Sequence, residues 1–119
     1  MKLQLYHNPR CSKSRKTLEL IEKAGIRPQI VAYLESPPDA ARIRELAKLL
    51  EIPVSGLLRR GEAEFRDADD LPDLDDDVLL SIWLSQHPRV IERPIVVELS
   101  GSRAIIGRPP ENVESLLSR

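Results

Sequence analysis

Cys11 is the only cysteine in this 119-residue chain. It lies in His7-Asn8-Pro9-Arg10-Cys11-Ser12-Lys13-Ser14-Arg15, between a short apolar strand pattern and a helical pattern. A thiol at a helix start meets unpaired backbone N–H groups and the positive end of the helix dipole. Arg10, Lys13 and Arg15 add three cations close by. Each effect favours the thiolate, which is the nucleophilic form. An inert, buried cysteine is the common alternative, but basic and polar flanks suit a core position poorly. A reactive thiol is expected.

Cys11-Ser-Lys-Ser14 has Cys-x-x-Ser spacing. A cysteine in the fourth position could store two electrons as a local disulfide; serine cannot. Any redox cycle therefore borrows its resolving thiol from outside, from glutathione or a glutaredoxin-type partner. Three arginines stand out by place: Arg59 after Leu57-Leu58, Arg93 before Pro94, and Arg108 before Pro109. The guanidinium fork matches tetrahedral oxyanions, so arginines presented to one spot would bind one. Taken singly, each reads equally well as a solvated loop residue. His7, four residues before the cysteine, could tune the thiolate or serve as a strand-end residue, and His87 reads as a helix-end residue. Two isolated histidines and one cysteine make no zinc set, so no metal is expected. A phosphatase-type loop would need arginine six positions after the cysteine, where Thr17 stands.

The elements that must position these groups are easy to segment. Ten prolines against five glycines fall at segment edges, because proline ends helices rather than sitting inside them. Leu3 to Tyr6 predicts a strand, residues 12–24 a helix stopped by Gly25, and residues 29–33 a second strand. Strand, helix and strand in that span make a βαβ unit with parallel strands. A second helix follows Ser36-Pro37-Pro38-Asp39, with Ile43, Leu46, Ala47 and Leu50 as its apolar stripe. Residues 53–58 predict one helical turn, and residues 61–74 a loop. A third helix spans 75–86 with Val78, Leu79, Ile82 and Trp83 inward. Its three leading aspartates suit the dipole better than they suit a metal. Residues 95–99 and 103–106 form a hairpin around Ser100-Gly101-Ser102. A last helix turns Val113, Leu116 and Leu117 inward.

That order is the order of a thioredoxin-like α/β fold: a four-stranded mixed sheet with helices on both faces. In that topology the first helix begins where Cys11 stands, and the proline before strand three packs against the cysteine. The chain is expected to be one domain. A net charge of −1 argues against nucleic-acid binding, no apolar run reaches the ~20 residues of a membrane span, and the N-terminus lacks a signal-peptide core. A cytoplasmic location is expected.

Tyr6-His7-Asn8-Pro9-Arg10-Cys11, Tyr33-Leu34-Glu35-Ser36-Pro37-Pro38, Leu57-Leu58-Arg59, Glu92-Arg93-Pro94-Ile95 and Gly107-Arg108-Pro109 resemble, in order, the glutaredoxin-coupled arsenate reductases. The resemblance covers nearly the whole chain. It implies a thioredoxin-like domain with a helical insertion at about residues 38–90 and Cys11 as nucleophile. It further implies Arg59, Arg93 and Arg108 as arsenate ligands, with His7 and Ser14 in support. No bound cofactor is implied; glutathione is the co-substrate and glutaredoxin the partner. The loop is more basic than in plasmid-type reductases, and their C-terminal extension is not expected here. Two other functions fit the scaffold. One is a thiol oxidoreductase acting on another oxyanion or a glutathione adduct. The other is an Spx-like RNA-polymerase-binding regulator, which would ordinarily carry Cys-x-x-Cys.

Overall fold

The computed structural model describes residues 1–100 and 103–117. By its internal contacts the chain forms two compact units, Met1–Tyr33 with Arg93–Arg119, and Leu34–Glu92. The second is the inserted helical segment.

The first unit is built on strands β1 (Leu3–Tyr6), β2 (Gln29–Val31), β3 (Ile95–Glu98) and β4 (Arg103–Ile106), in the order β2-β1-β3-β4. β1 runs parallel to β2, with Leu5 opposite Ile30, and antiparallel to β3, with Leu5 opposite Val96. β3 and β4 pair antiparallel, Val96 opposite Ile105. The second strand ends two residues earlier than the pattern predicts: Ala32 and Tyr33 lie beyond the ladder. Gly101 and Ser102 of the expected hairpin turn lie outside the described residues.

Side chains alternate across a sheet, so Leu3, Leu5 and Val96 share one face. They pack with Ile21 of helix α1 (Ser12–Lys23) and with Val113 and Leu116 of the C-terminal segment. That segment is a 3₁₀ turn at Pro110–Val113 running into α5 (Glu114–Leu117). Each of these six side chains is buried.

In the second unit, α2 (Ala40–Leu49) packs against α4 (Asp77–Ser85). Ile43, Leu46 and Ala47 meet the inward face of α4 and the 3₁₀ turn Val54–Leu57. Asp39 caps α2 by accepting the Arg42 N–H at 2.8 Å, as N-cap carboxylates do. The loop expected at 61–74 contains a short helix, α3 (Ala63–Arg66); one turn is too brief to show periodicity.

The face predicted for α4 is a misreading. Val78, Leu79 and Ile82 are 54%, 50% and 42% exposed, while Leu80, Ser81, Trp83 and Leu84 are buried. The run Val-Leu-Leu-Ser-Ile-Trp-Leu is apolar nearly all round, so its pattern does not single out one face. Ser81 instead faces inward, with Oγ accepting from Arg44 Nη1 at 2.9 Å and donating to the Val78 carbonyl at 2.8 Å. A satisfied hydroxyl is cheap to bury. Two aspartates at the start of α4 have structural partners: Asp76 caps it through the Leu79 N–H, and Asp77 accepts from the Val54 N–H.

Helices α1 and α2 end in the same motif with different residues. After α1, Gly25 has φ +81° and Ile26 N–H reaches the Ile21 carbonyl. After α2, Glu51 has φ 58° and Ile52 N–H reaches the Ala47 carbonyl. Both are Schellman endings, whose left-handed residue is best as glycine. Glu51→Gly is therefore expected to stabilise the chain by about 1 kcal/mol, and Gly25→Ala to destabilise it by about as much. Urea unfolding of the two variants checks this; equal midpoints would refute it.

Candidate active site

Strand register assembles the site at one edge of the sheet. Tyr6, the last residue of β1, lies opposite Ile95, the first residue of β3. Ile95 in turn lies opposite Ile106, the last residue of β4. Three segments therefore leave the sheet at the same edge: His7 to Cys11 after β1, Arg93-Pro94 before β3, and Gly107-Arg108 after β4. The Gly107 N–H donates to the Pro94 carbonyl at 2.8 Å, extending the β3–β4 pairing one step beyond the ladder. Both Arg93-Pro94 and Arg108-Pro109 are cis.

Cys11 is the N-cap residue of α1, with extended backbone angles and a half-buried side chain that makes no capping bond. A thiol that does not cap is left available for chemistry. The loop before it is tightly held. Cys11 N–H donates to the Asn8 carbonyl at 3.0 Å, Arg10 N–H to Asn8 Oδ1 at 3.0 Å, and Arg15 Nη1 to the Pro9 carbonyl at 2.9 Å.

Ser14 is fully buried, and its Oγ lies 2.6 Å from His7 Nδ1 and 3.1 Å from the Asn8 N–H, which donates to it. With Asn8 as donor, the hydroxyl keeps its own proton and one lone pair for Nδ1, so it can donate to an unprotonated Nδ1. Burial, aided by the Arg15 charge, holds His7 below its ordinary pKa of 6.5. His7 is thus neutral at neutral pH and able to accept from Ser14. The fourth position of Cys-x-x-Ser is a buried brace between loop and helix.

The arginines have different settings. Arg93 lies in the first unit, half-buried, and its Nε and Nη1 are buried without a hydrogen-bond partner among the described residues. Arg108 is half-buried beside it along the paired strand ends. Arg59 belongs to the second unit, where Leu58 bridges Ile91 and Arg59 N–H donates to the Val90 carbonyl at 2.7 Å. Its guanidinium is engaged there by Glu62 at 3.1 Å and Glu92 at 3.5 Å. His87 stacks on Trp83 at the end of α4, with ring centroids 4.0 Å apart. Its Nδ1 lies 2.9 Å from the Trp83 carbonyl. Sequence reasoning gave no role to Asn8, Thr17 or Gly107. Asn8 carried a local signal, since asparagine before a turn bonds its own backbone; the other two meet only in the folded chain.

Residues 6–116 match the ArsC family. The chain is 39% identical over 117 residues to an arsenate reductase of Neisseria meningitidis, covering 97% of each chain. It is 41% identical to an arsenate reductase of Haemophilus influenzae, covering 98% of this chain and 100% of that one. The structure of arsenate reductase from Vibrio cholerae superposes with a TM-score of 0.84 at 39% identity, covering 97% of each chain.

Ser14→Ala would take the partner from the half-buried Asn8 N–H and His7 ring nitrogen, and is expected to cost about 1–3 kcal/mol. Because His7 titrates lower when folded, the unfolded chain binds its proton first as pH falls. The contribution of His7 to stability is full above its ordinary value and is lost as pH falls through the folded one. Urea midpoints followed from about pH 8 to about pH 5 should show this decline in the wild type and a flatter profile in His7→Gln. Parallel profiles would contradict the assignment.

Proposed function

The chain belongs to the ArsC family, and from that premise we propose that it reduces arsenate to arsenite with glutathione and glutaredoxin. What carries the reading is Arg93. A buried guanidinium without a partner is costly, and two of its nitrogens are in that state on the sheet edge that also bears Cys11 and Arg108. An anion in that place would satisfy them.

Cys11 thiolate attacks the arsenic of arsenate and displaces one oxygen as water, giving a thiolate–arsenic(V) ester. Glutathione adds to the same arsenic with loss of a second water. A glutaredoxin thiolate then attacks the glutathione sulfur, and the arsenic–sulfur electron pair stays on arsenic. That step reduces arsenic(V) to arsenic(III) and releases a mixed disulfide. Water frees arsenite and returns the Cys11 thiol. Arg93 and Arg108 hold the oxyanion in this scheme, and Arg59 is a ligand only by the family resemblance. His7 and Ser14 keep the loop in place. Electrons enter only through external thiols, in keeping with a reducing cytoplasm.

Two observations weigh on the other readings. A buried, braced Ser14 does not supply the Cys-x-x-Cys switch of an Spx-like regulator. A guanidinium accepts any tetrahedral oxyanion, so the alternative oxidoreductase is separated by substrate competition rather than by geometry.

A coupled assay with arsenate, glutathione, glutaredoxin, glutathione reductase and NADPH tests the proposal; no arsenate-dependent NADPH oxidation would refute it. Cys11→Ser should abolish turnover with its melting temperature nearly unchanged, and omission of glutathione should stall the wild type. Arg93→Lys keeps charge but loses the fork. It should lower kcat/KM for arsenate by an amount worth about 1.5–3 kcal/mol, while exposed Arg27→Lys is silent. Equal kinetics for these two variants would remove Arg93 from the site.

A further inference from the structure

Gly107 is buried where the Arg93-Pro94 segment, the end of β4 and helix α1 converge. A Cβ built on it would stand 2.6 Å from Thr17 Oγ1, 2.8 Å from Pro94 Cγ and 3.4 Å from Thr17 Cγ2. Neither neighbour can swing aside. Thr17 is fully buried on α1, and its Oγ1 donates to the Lys13 carbonyl at 2.8 Å. Pro94 is buried and its ring is closed on its own backbone. Glycine is required here for space: its φ is outside the left-handed region.

We propose that Gly107 and Thr17 form a spacer that sets how close Arg93 and Arg108 stand to the helix bearing Cys11. The inference rests on reading this edge of the sheet as a thiolate–oxyanion site. Its logic is geometric. Cys11 and Thr17 lie on or at the start of one helix, and the helix moves as a rod. Arg93 and Arg108 are each one residue from the pair that Gly107 N–H joins to the Pro94 carbonyl, so those two arms move together. The face-to-face contact between Gly107 and Thr17 is then the stop that fixes one assembly against the other. A methyl at 107 cannot be absorbed without moving the strand ends off α1 by a good fraction of an ångström. Misplacement on that scale in a reacting pair costs up to ~100-fold. Gly107 and Thr17 are positioning residues, since neither needs to touch the oxyanion.

Gly107→Ala, Thr17→Ala and the double variant form a size-swap cycle, read by melting temperature and by KM and kcat in the coupled assay. Gly107→Ala should raise the arsenate KM at least about 10-fold and leave the glutathione KM unchanged. Thr17→Ala removes the stop and should raise the arsenate KM several-fold. In the double variant the clash with Thr17 is relieved while that with Pro94 Cγ stays, so the arsenate KM should fall below that of Gly107→Ala without returning to the wild-type value. If Gly107→Ala does not fold, Thr17→Ala decides, by whether its arsenate KM rises with the glutathione KM unmoved. A lowered melting temperature with arsenate KM unmoved in every folded variant would overturn the proposal, as would a folded double variant no better than a folded Gly107→Ala. Loss of arsenate turnover in the wild type would instead defeat the reading on which it rests.

Discussion

The pairing of Tyr6 with Ile95 is the constraint on which the rest of the first unit depends. It makes β1 an interior strand, parallel to β2 on one side and antiparallel to β3 on the other. Because register in a half-buried sheet is strongly specified, that one pairing sets where the Cys11 loop departs relative to the Arg93-Pro94 segment. The β3–β4 ladder then delivers Gly107-Arg108 to the same edge. A slip of one residue would turn Leu5 and Val96 away from Ile21 and would part the cysteine loop from the arginines. Core packing and site assembly are therefore the same requirement.

The electrostatics divide the arginines into two kinds. Arg59 is held by two carboxylates, which fix its direction and share its charge. Arg93 has two buried nitrogens that no group among the described residues hydrogen-bonds. A group of the first kind is preorganised and weakly attractive; one of the second kind is strongly attractive and costs stability until an anion arrives. Around the thiol, by contrast, polar groups are satisfied. Asn8, Ser14 and His7 close on one another and leave the Cys11 side chain without a capping bond.

Local pattern made most of the first unit legible. Leu3 and Leu5 alternate as a strand must, Gly25 marks the end of α1, and the prolines mark the element edges. The placement of Cys11 at the start of α1 followed from these alone. Three things lay beyond such signals. The orientation of α4 depended on Ser81 finding Arg44, a contact between distant residues. The short helix at Ala63–Arg66 is too brief to declare a period. Thr17 and Gly107 have unremarkable types, and their meaning lies in a close approach across most of the chain. The arginines were readable as candidates by type and neighbour, but their differing states of pairing were not.

The first unit is discontinuous along the chain, whereas Leu34–Glu92 is one continuous stretch. During synthesis the inserted unit has all its residues before β3 exists, and its helix-to-helix contacts are of short sequence range. The sheet must wait, because β3 sits inside it and is made near the end. Until then β1 and β2 can form only a two-stranded ribbon, which is marginal in water and open along the edge that β3 later covers. The last quarter of the polypeptide thus closes the sheet and carries Arg93 and Arg108 to the cysteine loop in one event. A nascent chain on the ribosome has its thiol long before it has the sheet edge that completes the proposed site.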